Sequence, residues 1–492
     1  MNQDRRNFLS DAARMSAIAF AGPALWRMPP GLAQSASDGE LATMTIGELS
    51  RLLASRTITS RQLVEQALAA ITAPAGEGPR TFLLVHEKEA LAAADRVDAQ
   101  RRRGSKLPAL AGIPISIKDL FDEAGVVTLG GSTVLIGSPP AARDSTVVAR
   151  LRKAGAVIVG RTSLTEFAFT GLGINSHYGT PKNAFDRATG RIPGGSTSGG
   201  AISVTDGMAA GAIGTDTGGS LRIPAALNGL VGFKPTARRV PRDGLLPLSP
   251  TLDSAGPIAK TVADCALLDQ VLTAENNGVP APARLRGLRF AVPTTVFQDD
   301  LSPVVASAFR AALDRLSVAG ASIIELPMAE FARAAAVSPR GAIPSAEAFS
   351  FHRQWLKDGA DKYDPRVLAR IRSGETITAA KYSELLELRQ RFVRTIDTAA
   401  SGYDAMLMPT TPDTAPTIAE TTRDDESYFR INGRMLRNTA VVNLFDGCAL
   451  SVPCHDLGTA PVGLMIAGTH NSDRKLLAIG LSVEEVVWKR HG

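Results

Sequence analysis

Three cysteines in 492 residues, Cys265, Cys448 and Cys454, are too few to cross-link a fold of this length. Cys448 and Cys454 are near enough in sequence to pair, but packing is the simpler reading of all three. Histidine is also sparse. The six, at positions 86, 177, 352, 455, 470 and 491, include no pair at helical or metal-ligand spacing, so zinc chemistry has no signature. His177, within GINSHYGTP, reads as a loop or packing residue. No G-x-S-x-G stretch occurs, which leaves histidine-based serine hydrolysis without its nucleophile elbow. No apolar run approaches the roughly 20 residues of a membrane-spanning helix, because Arg14 and Arg27 bracket the longest N-terminal one. Charge of one sign is lacking as well. The formal charge is +6, and removal of the four arginines and two aspartates among the first 36 residues leaves +4, too weak to argue nucleic-acid binding. Beyond residue 40 there is no internal repeat, low-complexity linker or break in composition.

What is present describes a globular chain, 44% hydrophobic and 21% charged, long enough for one large domain or two to three ordinary ones. The N-terminal DRRNFLSDAARMSAIAFAGPALWRMPPGLAQSAS joins a paired arginine, an Ala-rich apolar segment and small residues near Ala33–Ala36. That order resembles a twin-arginine export signal and predicts a leader over 1–36, export to the periplasm, and a cytoplasmic protein if the signal is not used. Such substrates cross already folded, so few cysteines and an oxidising destination are compatible.

Past the leader, Thr45 with Glu48 and Thr59 with Gln62 stand at capping-box spacing, and two short helices are expected to follow them. Apolar runs at 156–160 (AVIVG), 288–292 (LRFAV), 322–326 (SIIEL), 405–409 (AMLMP) and 449–453 (ALSVP) read as strands. Helical patterns alternate with them. One is SPVVASAFRAALDRLSVAG, with Ser302 as cap, Pro303 in the first turn and Gly320 as stop. The alternation predicts an α/β fold with helices on both faces of a sheet. Residues 37–492 read as one domain, those around 330–400 as a mostly helical elaboration, and QRRRGSK (100–106) as a solvated helix end. GAVIVGRT (155–162) has the spacing of a phosphate-binding loop with Arg161 in place of lysine, but its β-branched middle belongs in a strand, and nucleotide binding is rejected.

Three stretches carry candidate chemistry. GIPISIKDLFD (112–122) sets Ile113, Ile115 and Ile117 on one face of a strand and Lys118 at its end on the other, where by pattern alone it reaches water. IPGGSTSGGA (192–201) is a Gly/Ser loop running into a helical pattern, with Thr197 or Ser198 as cap. GTDTGGSLRIP (214–224) gathers three glycines around Ser220, too polar for a buried strand and too glycine-rich for a helix interior. Successive backbone N–H groups in such a loop can cradle a developing negative charge; a plain turn is the other reading.

Together, a strand-end lysine and two Gly-Gly-Ser loops with serines 24 residues apart resemble the amidase signature family of Ser-Ser-Lys hydrolases. PALAGIPISIKDLFD, DSTVVARLRKAGAVIVGRTSLTEFA, GTPKNAFDRATGRIPGGSTSGG, GTDTGGSLRIPAALNGLVGFKPT and PLSPTLDSAGPIAKTVADC match that family's successive blocks in order, as do YDAMLMPTTP and SVPCHDLGTAPVGLMIAG. The match spans residues 43–488. The resemblance implies a central mixed twisted β-sheet covered by helices, and hydrolysis of an amide C–N bond through an acyl-enzyme. It implies Ser220 as nucleophile, Ser196 relaying its proton to a neutral Lys118, and a cis peptide bond between Gly195 and Ser196. The N–H groups of Thr217, Gly218, Gly219 and Ser220 are then the oxyanion hole. Asp216 and Arg222 read as supports of the loop, and Ser198 as a cap or a hydrogen-bonding member of the relay. A lysine with an ordinary pKa of about 10.4 serves as base only if burial lowers it substantially.

No metal or organic cofactor is implied. The expected partners are a small-molecule amide and the export machinery, with no nucleic acid and no stable membrane insertion; a homodimer is left open. Two other functions stay open: a subunit passing ammonia to a glutamyl-tRNA, which an export signal argues against, and a non-catalytic ligand-binding homologue, which an intact Lys118, Ser196 and Ser220 argue against. Two departures stand out. Gly195-Ser196-Thr197 replaces the commoner Gly-Ser-Ser, and NLFDGCALSVP (443–453) differs from the commoner pattern in a segment expected to line the substrate pocket. Pocket walls and not the triad set the substrate, which the sequence leaves unnamed.

Overall fold

The aliphatic and β-branched runs become strands in the computed structural model, which describes residues 40–488. The predicted leader lies outside the described residues. Among them, eleven strands form one sheet: β1 (Phe82–Val85), β2 (Pro114–Lys118), β3 (Val157–Thr162), β4 (Gly211–Asp216), β5 (Val231–Lys234), β6 (Ser254–Ala259), β7 (Arg289–Pro293), β8 (Ser322–Leu326), β9 (Ala405–Pro409), β10 (Cys448–Pro453) and β11 (Gly463–Gly468). Their order is β1-β3-β2-β4-β6-β5-β10-β11-β9-β7-β8. β2 runs parallel to β3 and β4, and β7 parallel to β8 and β9, while the other neighbours are antiparallel, so the sheet is mixed.

Every residue of β2, β3, β4, β6, β10 and β11 is buried, the sign of a sheet covered on both faces. Alternation along the strands divides the core in two. Leu407, Leu450, Val452, Leu464 and Ile466 join one cluster with Ile115, Ile117 and the helices Val262–Thr273 and Asp473–Val487. Met406, Met408, Ala449, Met465 and Ala467 join another, covered by Phe392 and Ile396 of the helix Ala379–Ala400 and by Val441 and Val442 of the helix Asp425–Leu444. The ends of the strand order are half-exposed: β8 presents Ser322 and Glu325 to solvent, and β1 is only four residues long.

Local signals held where a cap or a stop decides the backbone. Both capping boxes form, at Thr45/Glu48 and Thr59/Gln62, and open the helices Ile46–Ala54 and Ser60–Thr72. The helix Pro303–Val318 begins on Pro303 and stops before Gly320 at φ +96, although the Ser302 side chain makes no capping bond. Between β8 and β9 the described residues form helices, chiefly Ala342–Gly359, Pro365–Arg372 and Ala379–Ala400, and no strand. The helix Glu87–Arg102 ends in exposed Arg102 and Arg103, the solvated end expected there. The three cysteines are free and buried. Among the described residues no helix is long and apolar enough to cross a membrane.

Two expectations fail. Gly214 to Asp216, judged too polar for a buried strand, are the last residues of β4 and lie wholly inside. Their neighbours on β6 are Gly256, Ala255 and Ser254, small enough to leave room for polar side chains that find partners. Thr197 stands at the cap position of the helix Ser198–Thr205, but its hydroxyl bonds the Thr215 carbonyl at 3.4 Å and no helix N–H. Ser198 Oγ is buried with no hydrogen-bond partner among the described residues, so neither a cap nor a relay bond is seen there.

Candidate active site

β2 and β4 are parallel neighbours, with Ile117 opposite Ile213, so the chain leaves both at the same edge of the sheet. Pockets of open α/β sheets form outside such carboxyl ends. Lys118 is the last residue of β2, and Thr217 to Leu221 link β4 to the short helix Arg222–Leu227. The loop carrying Ser196 arrives from β3 and enters the helix Ser198–Thr205. The two Gly/Ser loops touch: the Thr197 N–H donates to the Ser220 carbonyl at 3.3 Å, and the Thr165 N–H to that of Ser196 at 3.2 Å.

Alternation along β2 turns Lys118 away from Ile115 and Ile117 as expected, but not into water. The side chain is fully buried, because β3 and β4 flank β2 and the helix Ser198–Thr205 covers this face, its Ser203 hydroxyl bonded to that of Ser116 at 2.8 Å. Lys118 Nζ lies 2.8 Å from Ser196 Oγ and 2.8 Å from Thr215 Oγ1. Burial pushes the amine down from 10.5 to about 7, while the negative charges of Asp253 and Asp216 favour its protonated form. Near neutral pH the amine therefore divides between its two forms.

Backbone crowding surrounds Ser196. A Cβ on Gly195 would stand 2.4 Å from the Gly173 nitrogen and 2.8 Å from Thr165 Oγ1, so only glycine fits. The Gly195–Ser196 peptide bond is cis.

The Ser220 loop is wound around one carboxylate. Asp216, fully buried, pairs with Arg222 through Nε at 3.0 Å and Nη2 at 2.9 Å. It also accepts from the N–H of Gly219 at 2.8 Å, the N–H of Leu221 at 3.2 Å and Asn443 Nδ2 at 2.9 Å. Burial alone would raise its pKa, but the guanidinium and these donors hold it at about 2, a permanent anion. Gly219 has φ +140, and a Cβ there would meet Thr439 Oγ1 at 2.2 Å. Of the four N–H groups expected to form an oxyanion hole, one is engaged elsewhere. The Gly219 N–H is turned to Asp216, which leaves those of Thr217, Gly218 and Ser220. Asp216 and Arg222, read as supports of the loop, pair with each other, and Asp216 accepts from the loop's Gly219 and Leu221 N–H groups.

Thr215, Asp253 and Asn443 were not singled out in the sequence. Thr215 lies inside the quoted loop, and its signal was its place on β4, alternating with Asp216. Asp253 accepts from the Thr217 hydroxyl at 2.5 Å and from the N–H groups of Leu248 and Ser249, each at 3.0 Å. Burial nevertheless pushes its carboxyl up to about 6. Asn443 comes from more than two hundred residues away in the chain, and in the sequence it was read only as part of the 443–453 segment expected to line the pocket. His177 is half-buried and bonded to Glu166 at 2.8 Å, a loop residue as expected. Among the described residues no group of three or more His, Cys, Asp or Glu side chains is placed to hold a metal ion.

Thr217, Gly218 and Ser220 open onto a cleft of about 690 Å³. Its remaining walls include the Ala168–Thr170 turn, Leu248 and Leu252, the segment around Phe331 to Gly341, Arg370, and the helix Asp425–Leu444. Of 443–453, expected to line the pocket, only Leu444 reaches it; Asn443 faces Asp216, and Cys448–Pro453 is a strand.

The family model described as Amidase matches residues 63–477. A curated relative, 2-amino-5-chloromuconic acid deaminase of Comamonas testosteroni, is 37% identical over 82% of this chain and 87% of its own length. One subunit of the glutamyl-tRNA(Gln) amidotransferase of Chloroflexus aggregans is 34% identical over 91% of this chain and 97% of its own. A solved amidase superposes with a TM-score of 0.81 at 30% identity, covering 90% of this chain and all of that one.

Proposed function

The chain belongs to the amidase family, and from that premise we propose that Ser220 is its nucleophile, with Ser196 and Lys118 moving the proton. It is a hydrolase acting on the C–N bond of small amides. One observation carries the assignment of roles: a lysine amine, wholly buried and held near neutrality, lies 2.8 Å from the hydroxyl of one serine loop that is bonded to the other.

A serine hydroxyl is weakly nucleophilic until a base takes its proton. Ser220 passes its proton to Ser196 Oγ as Ser196 passes its own to neutral Lys118, and Ser220 Oγ attacks the amide carbonyl. The carbonyl oxygen becomes an oxyanion facing the N–H groups of Thr217, Gly218 and Ser220, each such donor contributing about 2.7–4 kcal/mol in comparable hydrolases. Protonated Lys118 then returns a proton through Ser196 to the leaving nitrogen as the C–N bond breaks. Water enters by the same relay and releases the acid. The Thr215 hydroxyl orients the amine, and the Asp216–Arg222 pair fixes the loop.

Labelling with a fluorophosphonate, read by intact mass, tests the nucleophile. One adduct is expected on the wild-type protein and none on Ser220→Ala, with turnover of amides lost in parallel; equal labelling of both sinks the assignment. A second reading, as one component of a tRNA-dependent amidotransferase, is favoured by the near-complete coverage of the Chloroflexus relative. Ser220-dependent hydrolysis by this chain alone favours the free-standing enzyme, and a requirement for added protein components favours the other. Residues 1–36 support the further proposal that the protein is exported folded by a twin-arginine route. Arg5→Lys with Arg6→Lys is expected to abolish its periplasmic fraction, and an unchanged fraction refutes that route.

A further inference from the structure

Asp216 fixes the Ser220 loop from Gly219 onward, through the N–H groups of Gly219 and Leu221. The start of the loop hangs on a different acid. Thr217, which opens onto the cleft and offers one of the three N–H groups that remain, donates its hydroxyl to Asp253 Oδ1 at 2.5 Å. The other oxygen of Asp253 closes the turn 248–253 from within, accepting from the N–H groups of Leu248 and Ser249, each at 3.0 Å. In the same turn the N–H groups of Leu252 and Asp253 donate to the Ser249 carbonyl at 2.9 and 2.8 Å. Thr217 is therefore placed only as firmly as the turn is.

The turn is gripped from outside by Glu347, a half-buried residue of the helix Ala342–Gly359. Its carboxylate accepts from the hydroxyls of Ser249 and Thr251, from the Thr251 N–H at 3.3 Å, and from the Tyr382 hydroxyl at 2.5 Å. Tyr382 belongs to the helix Ala379–Ala400, so one acid joins the turn to two helices of the 330–400 region. Among the described residues no cation bonds to it, and Arg389 acts on it only at a distance. Bonds from hydroxyls and N–H groups to a carboxylate are directional, and each is roughly twice as strong as one between neutral groups. Four of them at one acid fix a backbone, and Glu347 itself does not line the cleft. Arg242 gives the turn a second anchor, its Nη1 donating to the Pro250 carbonyl at 2.6 Å and to that of Asp253 at 3.1 Å.

We propose that Glu347 is a positioning residue for the amide hydrolysis: by clasping the turn 248–253 it holds Asp253 against Thr217 and keeps the Thr217 N–H aimed at the oxyanion. This role rests on the hydrolase reading above and gives the helical region a part in the chemistry. Fluorophosphonate labelling of Ser220 at pH 9, where Lys118 is neutral and Asp253 ionised, yields a maximal rate kinact and a half-saturating concentration KI. Glu347→Ala is expected to lower kinact about tenfold or more, part of the hundred- to thousandfold that loss of a whole oxyanion donor costs, with KI changed less than about threefold. Glu347→Gln keeps the length and an acceptor oxygen and should restore part of the rate. Thr217→Val cuts the bond to Asp253, and in that background Glu347→Ala should change kinact less than about twofold. Losses that multiply in the double variant, an unchanged kinact, or an effect confined to KI overturns the proposal. Urea unfolding establishes that each variant is folded. Should Glu347→Ala not fold, Ser249→Ala with Thr251→Val cuts the clasp from the side of the turn, and the same outcomes decide.

Absence of Ser220-dependent labelling in the wild type would instead sink the hydrolase reading. The clasp is then decided by hydrogen exchange. Glu347→Ala is expected to speed exchange about tenfold in peptides spanning 248–253 and also in those spanning 217–220, and an acceleration missing from the second refutes the link.

Discussion

Lys118→Met tests the physical state of the buried amine. Methionine keeps an unbranched side chain of similar reach and removes the titrating group. Holding the amine at about 7 when its ordinary value is 10.5 opposes folding by ~5 kcal/mol below about pH 7, at about 1.36 kcal/mol per tenfold, and by less as pH rises towards 10.5. The folded value is the lower one, so the unfolded chain binds more protons between about pH 7 and 10.5. Wild-type stability from this group therefore rises with pH across that window, and the full penalty applies below it. Against this, the variant loses the bonds to Ser196 and Thr215, about 1 kcal/mol each. Lys118→Met is expected to be more stable than the wild type by roughly 3 kcal/mol at pH 6 and less stable by about 2 kcal/mol near pH 10.5, with a crossover between. Urea unfolding of both proteins over that range, read by circular dichroism, gives the difference, from which titrations common to both cancel. Fluorophosphonate labelling of the variant should fall by about a hundred- to ten-thousandfold. A stability difference that does not change with pH, or a variant weaker than the wild type at pH 6, would mean that the amine is not held against its charge, and the reasoning would fail.

Two further predictions concern the groups around it. In the wild type the labelling rate of Ser220 should rise with pH through about 7, since neutral Lys118 is the competent form. Asp253→Asn removes an anion that favours the ammonium, so the midpoint should move to lower pH, a difference present only above about 6, where Asp253 is itself ionised; a midpoint that stays or rises contradicts the assigned electrostatics. Arg222→Met leaves the Asp216 carboxylate buried without its cation and should lower stability by ~3–5 kcal/mol, with labelling lost. A urea midpoint equivalent to within about 0.5 kcal/mol of the wild type would show that the pair does not fix the loop.

Much of the architecture was legible because it is written locally. Thr45/Glu48 and Thr59/Gln62 set helix starts through bonds three residues long, and the runs at 322–326 and 405–409 are strands in any context that buries them. The strands that were missed, β1, β4, β5, β6 and β11, are short, glycine-containing or polar at one end, and owe their extended form to neighbours in the sheet. Lys118, Ser196 and Ser220 became candidates because their order and spacing resemble those of a family, and not because any one of them declares its chemistry.

By itself, then, the sequence determined which residues can be strand, cap or turn, and which three side chains are candidates for a proton relay, since these depend on composition and spacing along the chain. Tertiary structure alone decided that Lys118 is buried and not solvated, that Gly219 gives its N–H to Asp216, and that Asn443 stands beside a loop far from it in sequence. The physical reason is that desolvation and hydrogen-bond matching depend on what packs around a group from every direction, and most of those neighbours are supplied by distant parts of the chain.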